Sequence, residues 1–171
     1  ANAQEIIYPF YKVIPAVSKY FLEAPMRDQF EEYNKTVENR HNKGLLLMPD
    51  IDGRRNGYYL YVPETYDDSV KFPLVVALHG GSGSGKEFIW FWLREARTRR
   101  FLLIAPSSSG RTWSFNSRVD ADLMVSAINE ISDHYNIDKE NILLTGFSDA
   151  GIYTIACALM EDLPFTAFAP I

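Results

Sequence analysis

Cysteine is almost absent from this chain: Cys157 stands alone among 171 residues. No intrachain disulfide can form, which excludes a disulfide-stapled scaffold and leaves the fold to its apolar core. No apolar run is long enough to span a bilayer, so no integral membrane segment is expected. Basic residues are not in excess. The net charge is -5, opposite to what a phosphate-neutralising surface carries, so a nucleic-acid partner is not expected. Histidine is scarce as well: His41, His79 and His134 are the only three. What remains is 47% hydrophobic and 23% charged residues, the balance of one ordinary globular domain with a sizeable core.

The chain carries no internal repeat. Val13 to Asn39 reads as helical, broken near Pro15 and Pro25, with Met26, Phe30 and Tyr33 on one face. Residues 1–44 are therefore expected to form an N-terminal helical extension and residues 45–171 the main domain. The opening Ala1-Asn2-Ala3 has the small-x-small form of a signal-peptidase site and fits an arbitrary chain start equally. The compartment, cytoplasmic or exported, stays open, as does the oligomeric state.

From Leu45 onward the pattern alternates. Leu45–Met48 and Tyr58–Val62 read as strands, separated by the turn-rich Asp50-Ile51-Asp52-Gly53. Leu74–Leu78, Phe101–Ala105 and Ile142–Thr145 are short, wholly apolar runs, the mark of strands buried on both faces. Between and after them, Glu87–Arg99, Asp120–Tyr135 and Ala150–Met160 read as helices, the second with Leu123, Ala127, Ile128 and Ile131 on its inner stripe. Phe165–Ala169 begins a further strand. The fold class is α/β, a mostly parallel, doubly wound sheet with helices on both faces. Such sheets bind ligands at the carboxyl ends of their strands.

Two of those ends carry chemistry. Gly146-Phe147-Ser148-Asp149-Ala150-Gly151 lies between a buried strand and a helix, the setting of the G-x-S-x-G nucleophile elbow. A sharp turn there projects the Ser148 hydroxyl above the sheet, and the small Gly146 lets strand and helix approach. Ala150 stands where the strict motif has glycine, with Gly151 expected to relieve the next contact. The amino end of the following helix favours an oxyanion, with the Asp149 N–H as one donor. A serine that only caps that helix is the plain alternative. Upstream, Leu78-His79-Gly80-Gly81-Ser82-Gly83 follows the first buried strand. A histidine-glycine loop so placed supplies the second oxyanion donor. Gly81 N–H takes the role, Ser82 is the neighbour most easily confused with it, and His79 shapes the loop. Gly80 to Lys86 also spells G-x-x-x-x-G-K, close to a phosphate-binding loop. Glu87 then stands where a magnesium-binding Ser or Thr belongs, and no apolar strand ends in a Walker-B aspartate. Among the aromatics, Trp113 follows a strand end and is placed, with Ser82, beside a substrate pocket.

In this order the segments from Tyr58 onward resemble the phospholipase/carboxylesterase and polyhydroxybutyrate-depolymerase/feruloyl-esterase branch of the α/β-hydrolases. The motifs that carry the resemblance are His79-Gly80-Gly81, Gly110-Arg111-Thr112-Trp113, Tyr135-Asn136-Ile137-Asp138 and Ile142–Gly151. The resemblance implies Ser148 as nucleophile, Gly81 and Asp149 as oxyanion donors, a small-molecule ester substrate, and neither metal nor cofactor. In this fold the triad acid and histidine follow the serine in chain order. After Ser148 the acids are Asp149, Glu161 and Asp162, and there is no histidine. The expectation is a C-terminally incomplete hydrolase whose acid and base lie beyond Ile171, inactive as these 171 residues alone. The alternative is a non-catalytic binding or scaffold protein on a degenerate hydrolase fold, and a P-loop nucleotide-binding protein ranks below both.

Overall fold

The wholly apolar runs form the middle of a six-stranded sheet. The computed structural model describes residues 42–48 and 57–171. Along the chain come β1 (Gly44–Met48), β2 (Tyr58–Val62), β3 (Phe72–Leu78), α1 (Gly85–Arg99), β4 (Leu102–Pro106), α2 (Val119–Ser132), β5 (Ile137–Gly146), α3 (Asp149–Ala158) and β6 (Ala167–Pro170). Across the sheet the order is β1-β2-β4-β3-β5-β6. β4, β3, β5 and β6 run parallel, while β1 pairs antiparallel with β2 and β2 with β4. The proposed N-terminal helical extension lies outside the described residues, save residues 42–44. Gly44 already pairs with Val62 in the sheet.

Alternation along the central strands sorts their side chains into two cores. Leu74, Val76 and Leu78 of β3 join Ile104, Ile142 and Leu144 beneath α2 and α3. Val75 and Ala77 join Leu103 and Ala105 beneath Ile89 and Ala96 of α1. Burying one such Leu, Ile or Val contributes about 1.5–3 kcal/mol, and Thr145 of β5, polar and fully buried, donates its hydroxyl to Ala169 O (2.7 Å). The helices after β3 and after β5 thus cover opposite faces. Those two strands are neighbours, so their carboxyl ends form a topological switch point, where a crevice opens between diverging loops.

Several boundaries differ from the sequence reading. β5 starts at Ile137, five residues before the apolar run, because Phe72 pairs with Ile137 across an irregularity in the register. α2 ends at Ser132. Tyr135 lies beyond it, its ring edge-on to Tyr66 at 5.2 Å. The inner stripe of α2 is Asp120, Ala121, Met124, Ala127, Ile128 and Ile131, so Met124 occupies the place given to Leu123. Among the described residues no helix is long and apolar enough to cross a membrane.

Cys157 is buried in the core under α3. Burial pushes its thiol up to about 11, from an ordinary value near 9.0. The folded state therefore holds a proton that the unfolded chain releases first. This contribution to stability is complete below about pH 9 and is lost as the pH climbs through about 11. The urea midpoint should fall more steeply over that interval in the wild type than in Cys157→Ala. Parallel slopes would show that the thiol contributes nothing.

Candidate active site

β5 ends at Gly146, and the chain turns at once into α3. A Cβ on Gly146 would stand 2.3 Å from the carbonyl oxygen of Ala150, so only glycine fits there. Phe147 N–H donates to Leu78 O (3.1 Å), tying the turn to the end of β3. Ser148 then adopts φ 61°, ψ -120°, a left-handed conformation that costs a non-glycine residue roughly 1–3 kcal/mol. Its side chain makes no capping bond to α3, which removes the reading of Ser148 as a plain helix cap. The backbone is held from below: Ser148 N–H donates to Ile171 O (2.8 Å), and Ile171 N–H donates to Gly146 O (2.8 Å). The Ala150 methyl is absorbed in the core, wholly buried. Gly151 is the glycine that admits the β6 end, since a Cβ there would stand 2.7 Å from Ile171 O. The elbow thus tolerates alanine two places after the serine by using a glycine three places after it.

The loop after β3 lies directly against this turn. A Cβ on Gly80 would reach the Phe147 ring at 3.2 Å and the Ser148 Cβ at 3.5 Å, and one on Gly81 would reach the Asp149 carboxylate at 3.4 Å. Ser82, at φ 58°, donates its N–H to Arg111 O (2.7 Å). That amide is committed, which removes Ser82 as an alternative oxyanion donor. Among the described residues the N–H groups of Gly81 and Asp149 have no such carbonyl acceptor. The Ser82 side chain is exposed at the loop tip.

His79 is 2% exposed. Its Nε2 accepts from Ser108 N–H (3.0 Å), which places the ring proton on Nδ1, 2.7 Å from Gly80 O. With both nitrogens engaged, this imidazole shapes the loop and has no free lone pair for a serine proton. His134 is exposed just before β5, at the strand end opposite Ser148. β5 separates them by roughly 20 Å, the length of the β3 stretch Phe72–Leu78 that pairs with its two ends. His41 lies outside the described residues.

Trp113 corrects the sequence reading. At 1% exposure it has no surface to offer a substrate. It sits between the His79 ring (4.9 Å between centroids) and the Tyr153 ring (5.6 Å, stacked), and its Nε1–H donates to His79 O (2.8 Å). It is a prop beneath the loop and not a pocket wall. The phosphate-loop reading fails on similar grounds. Ser84 caps α1, accepting from Glu87 N–H (3.4 Å) while its hydroxyl donates to the Glu87 carboxylate (3.3 Å), so Glu87 is engaged in the helix cap. Gly85 is there for packing: a Cβ on it would stand 2.1 Å from Ala105 O. An apolar groove of about 490 Å³ does exist, lined by Pro73, Trp92, Phe101, Ile142 and Ala167 among others, but it lies toward the amino ends of the strands, away from Ser148.

Sequence reasoning missed the residues that hold the two loops together. Thr112 donates its hydroxyl to the Asp149 carboxylate, and the buried Asp120 carboxylate accepts from Ser109 N–H (2.7 Å) and Ser114 N–H (2.6 Å). The one trace of them in the sequence is the cluster of Ser, Gly and Thr between β4 and α2, a composition that needs side-chain acceptors to order it.

No protein-family model matches the chain. It is 30% identical over 120 residues to a probable feruloyl esterase C of Aspergillus terreus, an alignment spanning 65% of this chain and 44% of that protein. It thus spans less than half the length of that curated relative. Among solved structures, it superposes on a thermostable esterase with TM-score 0.59 and 26% identity, covering 74% of this chain and 39% of the other. It also superposes on an acetyl xylan esterase from Aspergillus awamori with TM-score 0.61 and 21% identity, covering 73% and 50%. By sequence and by fold together, the chain has the α/β-hydrolase fold and resembles the phospholipase/carboxylesterase and polyhydroxybutyrate-depolymerase/feruloyl-esterase branch of that superfamily.

Proposed function

We propose that the full-length protein is a serine hydrolase that cleaves carboxylic esters through an acyl-enzyme on Ser148. The observation that carries the proposal is the left-handed Ser148 at the switch point, exposed and uncapped, with the Gly80–Gly81 loop against it. The esterase names of the relatives support the same reading. In the reaction Ser148 Oγ attacks the ester carbonyl carbon. A histidine from outside these 171 residues takes the hydroxyl proton, and the carbonyl oxygen becomes an oxyanion held by the N–H groups of Gly81 and Asp149. Collapse expels the alcohol, which receives that proton. Water then repeats the sequence and releases the acid. No step calls for a metal or cofactor.

A fluorophosphonate probe applied to the full-length protein should label Ser148, and labelling should vanish in Ser148→Ala. Labelling that survives the substitution would place the nucleophile elsewhere. The second reading, a binding protein on a degenerate hydrolase fold, is favoured by one observation: no described histidine can reach Ser148. It requires that the full-length protein stay unlabelled.

A further inference from the structure

The loop between β4 and α2 is bonded to both the histidine-glycine loop and the turn after β5. Arg111 O accepts the Ser82 N–H, Thr112 Oγ1 donates to the Asp149 carboxylate, Trp113 Nε1–H donates to His79 O, and Ser108 N–H donates to His79 Nε2. Three of these four bonds originate in the short segment Gly110–Trp113. That segment has no strand or helix of its own to fix it. Its shape is set at its two flanks, where the N–H groups of Ser109 and Ser114 converge on the two oxygens of one carboxylate, Asp120. Asp120 is 1% exposed and sits in the first turn of α2, a rigid support whose partial positive end favours a carboxylate. The two tethers close the six-residue span Ser109–Ser114 into a noose, and the oxyanion loop and the elbow both hang from it.

We infer that Asp120 is a positioning residue for the oxyanion hole, acting through the 109–114 segment on the amides of Gly81 and Asp149. The inference rests on the serine-hydrolase proposal above. Asp120 touches no substrate. Its effect is to keep two N–H groups from different loops aimed at one point, so its loss weakens a contact made in the transition state more than contacts made to bound ester. Asp120→Asn preserves shape but replaces one acceptor oxygen with an N–H donor facing another N–H, which releases one flank of the noose.

In the full-length protein, kcat per titrated active site should fall about 10- to 100-fold in Asp120→Asn, below the 100- to 1,000-fold typical of deleting a donor outright. KM should stay within about twofold. Affinity for a trifluoromethyl ketone analogue of the substrate should fall by the same factor as kcat. Dividing by the fluorophosphonate-titrated site concentration removes any loss due to unfolding alone. Should Asp120→Asn not fold, Thr112→Val reads the same effect: Thr112 is exposed and the substitution cuts only the tether to Asp149. Folded Asp120→Asn with wild-type kcat per site, or a loss carried by KM with ketone affinity unchanged, overturns the inference; where only Thr112→Val folds, the same two outcomes in that variant do so. A wild-type protein that the fluorophosphonate does not titrate overturns the serine-hydrolase proposal instead, so the two failures are distinct.

Discussion

In the full-length protein, Ser148→Gly is expected to be about 1 kcal/mol more stable than the wild type while its kcat drops by about a million-fold. The rate loss follows from removing the proposed nucleophile of a set of groups that act as a unit. The stability gain follows from the backbone. At φ 61° and ψ -120° the Ser148 Cβ is held in a region that costs roughly 1–3 kcal/mol, and glycine occupies it freely. Part of the gain is offset because glycine makes the unfolded chain more flexible, by about 0.4–1 kcal/mol. Ser148→Ala supplies the comparison. It removes the same hydroxyl but keeps the Cβ, so it should lose the same activity without the rise in melting temperature. Thermal unfolding of the two variants beside the wild type checks the claim. Equal melting temperatures for glycine and alanine would mean that the elbow stores no strain.

Gly146→Ala should lose about 3 kcal/mol of stability, at the upper end for an overpacked site, or roughly 5–10 °C in melting temperature for a chain of this size. Its methyl would fall 2.3 Å from Ala150 O and 2.7 Å from Thr154 Oγ1. The first of these is backbone in the opening turn of α3, which cannot swing aside as a side chain could. Relief requires the elbow itself to open, so fluorophosphonate labelling should fail even at temperatures where the variant is folded. Gly110→Ala is the control. Its nearest neighbour would be Thr112 O at 3.5 Å, an ordinary contact, and its stability should stay within about 0.5 kcal/mol of wild type. Comparable losses at both positions would show that the close approach at Gly146 is not what sets its cost.

The parts of this fold that read directly from sequence are those where one physical demand acts alone. β3 and β4 are buried on both faces, so their residues are apolar without alternation. The elbow and the histidine-glycine loop are legible because backbone proximity demands small residues at fixed spacing. Where two demands overlap, the reading slipped. Asp120 in a first helical turn looks like an ordinary complement to the helix dipole, and nothing local reveals that two distant amides fold onto it. Trp113 on a loop looks available to a ligand until the rings of His79 and Tyr153 close over it. Gly85 and Lys86 imitate a phosphate loop because a helix packed tightly on a strand also needs glycine at its start. The polar start of β5, Asp138 to Asn141, carries no strand pattern because its side chains lie largely at the surface.

The stacking of Trp113 also gives the molecule a built-in optical gauge. The other two tryptophans, Trp90 and Trp92, pack beneath the opposite face of the sheet and are partly open to water. Trp113 is dry, and its indole lies against the imidazole that anchors the histidine-glycine loop. Its emission should therefore lie to the blue of theirs and be the component sensitive to that imidazole. Any rearrangement of the loop, on acylation or on loss of a tether, registers in a native fluorophore a few ångströms away, with no label attached.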